Sequence, residues 1–582
     1  MEDEGCTPTF LLIFPLHWFL FQDSALIKQI LPRLDAVCDS LNSWLDLTTL
    51  QGVRDKDAAT LSRCCRIYAT IDRIEAAEAL IKLEVVRPHV ETCLEQAEKI
   101  DSSNLGQIYN NLLKIIPEHL AELVKLTTDE KKTVEGSVNG FDFLVNSFWT
   151  EVGEKLLQDI GNISNPGNPG EFFRNYEISM KFLNDFETNL TSEESLNHLR
   201  NLESYNSFLQ SWNMPVYFQI RFQEIATPYE TLLNHTKLAL ADNNTGCCLK
   251  VTEEAKIAIS RCFDQDIFLR TLANRFFKLS LQIISRYQVW ALMCLKVFKD
   301  GPELEPVTQD IKRSETTKDL QKLDGGKKSM KKSVSDQQLD KPSPTLMISL
   351  SDIVHIFCDT EHLIAAAPTI ITSGLKTVLA DSGGLNLDLA VHSGVEVLSS
   401  VLPTLSAAIS AHMVAGPAKM VKSVGDIPRM YRRTNRELPS KPCSYITNIV
   451  EELKSFHVSL KEKCSLTILS SWLGHGCNTI LELYLVQVQD VLSNVTKMEE
   501  SLKKLKKVRE KNNGVTGKDK AGGLSDDDKI RLQLYLDVMY LLREMGKEEL
   551  GKLETVVEGE SGKRIKHVVE QAVSSFISDI DL

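Results

Sequence analysis

The sequence predicts an all-α protein, an elongated rod of consecutive helical bundles with a disordered internal linker. Three observations predict it. Apolar residues return at three- and four-residue intervals along most of the 582 residues. Breaker clusters such as "NPGNPG", Asn165 to Gly170, fall between those stripes. One stretch, 301–345, has almost no large apolar residues, so it cannot bury enough surface to offset the entropy of ordering. At 65.4 kDa the chain exceeds one ordinary core, and two helical-bundle domains are expected, 23–300 and 346–582, on either side of that linker.

Residues 1–22 form an atypical hydrophobic start. "FLLIFPLHWFLF" is apolar enough for a signal segment, but acidic Glu2, Asp3 and Glu4 precede it, no small-x-small cleavage site follows, and Pro15 and His17 interrupt it. In "SRCCRIYATIDRIEAAEALIKL", Ile67, Ile71, Ile74, Ala77 and Leu80 share one helical face. After the breaker loop, Phe172, Tyr176, Met180, Leu183 and Phe186 do the same.

"MPVYFQIRFQEIA", Met214 to Ala226, alternates like a strand, yet the alternation fails at Glu224-Ile225-Ala226 and helices flank it on both sides. A helix follows instead, with Asn213 as N-cap, Pro215 in the first turn and Phe218, Phe222 and Ile225 as core residues. "GVEVLSSVLPTLSAAISAHMVAG" is apolar enough to raise a membrane span, but Glu396, Pro403, His412 and its serines favour a buried bundle helix. The clearest period lies in Leu481, Leu485, Val488, Leu492 and Val495, stepping four-three-four-three and continuing after a shift through Met498, Leu502 and Leu505. This predicts a long helix over about 478–511 with a seam for packing or for a partner, then a loop at 512–524 and terminal helices.

A net charge of −13 opposes general attraction to nucleic acid or to an anionic membrane. The 13 cysteines, odd in number and irregular in spacing, indicate reduced thiols in the cytosol. No Walker loop, dinucleotide fingerprint, G-x-S-x-G or paired metal-ligand motif occurs, so no catalytic residue, cofactor, metal or small-molecule substrate is assigned. His475 and Cys477 in "HGCN", and His355 with His362, lack further ligands at metal spacing.

"GGLSDDDKIRLQLYLDV" carries Asp526, Asp527 and Asp528, which could serve an all-helical, metal- and diphosphate-dependent enzyme. The favoured reading is a capping box, with Ser525 as N-cap and Asp528 answering it three residues later. Two basic runs remain. Lys503, Lys504, Lys506 and Lys507 could meet an anionic membrane surface or an acidic partner, or form a solvated helix face. Tyr431 with Arg432, Arg433 and Arg436 could clamp an anion or a partner, or form interhelical ion pairs.

"RCCRIYATIDRIEAAEAL", "FDFLVNSFW", "NPGNP", "SFLQSWNMPVYFQIRFQEIA", "PRMYRRTNREL", "VTKMEESLKKLKK" and "GGLSDDDKIRLQL" resemble, in the same order, stretches of the subunit 2 family of the conserved oligomeric Golgi complex. The resemblance implies a non-enzymatic, peripheral protein on the cytosolic face of the Golgi membrane, in a complex that captures vesicles for intra-Golgi retrograde transport. It implies as partners the other subunits, especially 1, 3 and 4, and indirectly fusion proteins and golgins. Where the family carries a further coiled-coil-prone region that contributes to assembly, this chain has "MEDEGCTPTFLLIFPLHWFLF".

Overall fold

The computed structural model describes residues 25–95, 103–128, 138, 140–190, 192–235, 237–241, 246–301, 347–378, 387–432, 434, 436–512, 524–547, 550 and 553–577. Among these, every regular element is helical, and the one β-bridge joins Leu240 to Leu249. The expected N-terminal segment 1–22, the linker beyond Gly301 and most of the expected loop 512–524 lie outside the described residues.

The chain divides into two compact units, Met1–Glu224 with Asp264–Arg275, and Ile225–Phe263 with Phe276–Leu582. This differs from a division at the linker. Helix Lys250–Arg261 packs on helix Leu350–Val378, which follows the linker, so the segment before it belongs to the same core as the segment after it.

In the first unit, three helices pass through π-helical turns, Lys82–Val86, Ile116–Leu120 and Phe143–Trp149. The wider turn accommodates Pro117, which has no N–H and would clash in a regular helix interior. The expected stripe from Ile67 to Leu80 is interrupted. Asp72 adopts φ 55°, ending helix Ala58–Thr70 and starting another at Ile74, and the buried face before the break is Leu61, Cys64, Cys65 and Tyr68, with Ile67 exposed. Helix Pro169–Glu187 is capped by the Asn168 side chain and buries Phe172, Tyr176, Leu183 and Phe186. The core here is aromatic: Phe172 stacks on Tyr217 at 5.0 Å and Tyr109 on Phe182 at 4.3 Å.

"MPVYFQIRFQEIA" lies in helix Met214–Leu233, and the Asn213 side chain accepts from the Val216 N–H at 3.3 Å. Its buried face differs from the expected one. Tyr217, Arg221, Ile225, Tyr229 and Leu233 are buried, while Phe218 and Phe222 are half-buried at the edge of the stripe. The reason is that Arg221 is satisfied inside. Its guanidinium donates to the Tyr217 hydroxyl, to Glu224 at 2.8 Å and to the Asp266 carbonyl at 3.2 Å, so a charged position belongs to the core face.

In the second unit, helix Leu350–Val378 opens on a reciprocal cap between Ser349 and Asp352. Its buried Asp359 accepts from the Cys248 and Leu249 N–H groups at 2.7 and 2.9 Å and from the Thr252 hydroxyl at 2.7 Å. One carboxylate thus caps the start of helix Lys250–Arg261 from more than a hundred residues away. Helix Val401–Val421 packs on the long helix Leu466–Asn512, burying Val401, Leu405, Ile409 and Met413. The run Leu389–Tyr431 is long and apolar enough to cross a bilayer by length and composition, yet this part of it is a bundle element, with Ser406 accepting from the Trp472 indole at 2.9 Å. The described cysteines are all free thiols.

Candidate functional site

The two polar motifs singled out by sequence meet in the second unit. Helix Asp526–Met545 begins on a complete capping box: the Ser525 hydroxyl accepts from the Asp528 N–H at 3.1 Å, and the Asp528 carboxylate accepts from the Ser525 N–H at 3.3 Å. Asp528 also holds Arg531 at 3.2 Å, and Asp527 turns away to Arg432 at 3.3 Å. The carboxylates therefore diverge, and no group of three potential ligands for a metal ion occurs among the described residues. Replacing Ser525 with alanine is expected to cost about 1 kcal/mol in urea unfolding, because the N–H of Asp528 loses its acceptor.

Tyr431 is buried, not free to clamp a ligand. Its hydroxyl donates to Gln533 at 2.7 Å. Gln533 donates to the Lys441 carbonyl at 3.0 Å and to Asp537 at 2.9 Å. Asp537, fully buried, accepts further from the Cys443 N–H at 2.7 Å and the Tyr445 hydroxyl at 2.8 Å, and the Tyr445 and Tyr484 hydroxyls share a hydrogen bond of 2.9 Å. Burial raises the Asp537 carboxyl above its ordinary value, with hydrogen bonds from Cys443, Tyr445 and Gln533 opposing the rise. Arg433 lies outside the described residues, and Arg436 is exposed, its carbonyl accepting from Lys529 at 2.7 Å. "PRMYRRTNREL" thus acts mainly as a strap that ties helix Ile427–Tyr431 to helix Asp526–Met545.

Asp359 and Asp537 escaped sequence reasoning. Apart from Gln533, their partners are some ninety residues or more away in the chain, so no local spacing marks them.

The long helix spans Leu466–Asn512, starting earlier than the expected 478. "HGCN" lies inside it, with Cys477 buried and His475 exposed. A Cβ at Gly476 would meet the terminal methyl of Met413 on helix Val401–Val421, a flexible side chain that could swing aside. Along the seam, Leu481, Leu485, Val488 and Val495 are buried and Leu492 is half-buried, whereas Met498, Leu502 and Leu505 are exposed. Lys503, Lys504 and Lys507 are exposed beside them, and the side chain of Lys506 lies outside the described residues.

The family model described as "COG complex component, COG2, C-terminal" matches residues 210–538, which include the strap, the seam and the capping box. Conserved oligomeric Golgi complex subunit 2 of Homo sapiens is 34% identical over 527 residues, covering 89% of this chain and 69% of that protein. Its counterparts from Drosophila melanogaster and Arabidopsis thaliana are 30% and 24% identical, covering 86% and 89% of this chain. The chain spans about two thirds of the length of these relatives, 66% and 65% in the last two. On this similarity, which runs through both compact units, the chain belongs to the family of conserved oligomeric Golgi complex subunit 2.

Proposed function

We propose that the chain is a non-enzymatic subunit of a Golgi vesicle-tethering complex, holding other subunits, especially 1, 3 and 4, for intra-Golgi retrograde transport and Golgi organisation. It acts at the cytosolic face of the Golgi membrane as a peripheral protein, with fusion proteins and golgins as indirect partners. The observation that carries this reading is the similarity to subunit 2 over 89% of the chain. The diverging carboxylates of Asp527 and Asp528 and the internal use of Tyr431 and Arg432 agree with a scaffold, since Asp528 is spent on its own helix start and the others on holding the strap to helix Asp526–Met545.

Affinity purification of the tagged full chain from cells tests it. Co-purification of subunits 1, 3 or 4 is the expected result. Recovery of none of them, from a sample whose helical circular dichroism is intact, refutes the assignment.

A further inference from the structure

We draw no further inference here: the strongest candidate, the Cys247 thiol set between His362 and Lys256 beside the start of helix Lys250–Arg261, carries nothing, because burial raises that thiol above its ordinary value and no group of three potential metal ligands forms among the described residues.

Discussion

Asp537→Ala is expected to lower the stability of the unit that carries it by about 3 kcal/mol or more, since it strands buried donors at roughly 1–3 kcal/mol each. The donors are the Cys443 N–H and the Tyr445 hydroxyl, at the start of helix Ser444–Leu460, and the Gln533 amide one turn back on the helix of Asp537 itself. Loss of the carboxylate therefore loosens the strap, helix Ser444–Leu460 and helix Asp526–Met545 together. Asp537→Asn keeps an acceptor and the volume, so its cost should be smaller.

The pH dependence separates the two variants. Burial raises the folded-state carboxyl above the ordinary aspartate value of 3.8. A raised group contributes stability that is complete below the unfolded value and is lost as pH rises through the folded one. The cost of Asp537→Asn should thus be largest at acid pH, shrink as pH climbs above 3.8 and level off once the native carboxyl is ionised. Urea midpoints of both proteins across that range measure it. A constant difference would show that folding leaves the Asp537 carboxyl at its unfolded value. Glu151 behaves oppositely: the Arg87 hydrogen bond at 2.9 Å lowers its carboxyl, so its contribution is present above 4.5 and lost as pH falls through the folded value.

Helicity was legible because it depends on local spacing, and so was the capping box, whose members are three residues apart. Where a stripe faces was less legible. In Met214–Leu233, positions 217, 221 and 225 recur at helical spacing as well as 218, 222 and 225 do, and the arginine at 221 disguised the true core face. The long helix begins at Leu466, ahead of the clear period that opens at Leu481, so the period alone did not mark its start. The division into units was hidden for a related reason. Asp359 reaches back across the linker to helix Lys250–Arg261, and a composition shift reports only that the intervening chain is polar, not what its two ends pack against.

Trp149→Ala is expected to be the most damaging single change in the first unit, at about 3–5 kcal/mol for a fully buried indole. "FDFLVNSFW" has no helical period of its own, because Phe143, Leu144, Val145, Phe148 and Trp149 are all buried. The π-helical turn Phe143–Trp149 widens the helix and helps crowded apolar side chains face inward. Asp142 fixes its start by accepting from the Val145 N–H at 3.1 Å. At its end the indole meets Tyr205 edge-on at 5.2 Å and Phe208 at 6.2 Å, lies near Phe186 at 5.6 Å and donates to Ser204 at 3.2 Å. Such ring pairs add about 0.5–1.5 kcal/mol each beyond area burial, so alanine removes contacts to helix Pro169–Glu187 and helix Glu203–Gln210 at once. Trp149→Phe keeps a ring in place and should recover part of the loss. Hydrogen exchange read by peptide should show faster exchange in 143–163, 169–187 and 203–210 for the alanine variant, with the phenylalanine variant between it and the parent. Unchanged protection in those peptides would mean that the aromatic cluster does not hold these helices together.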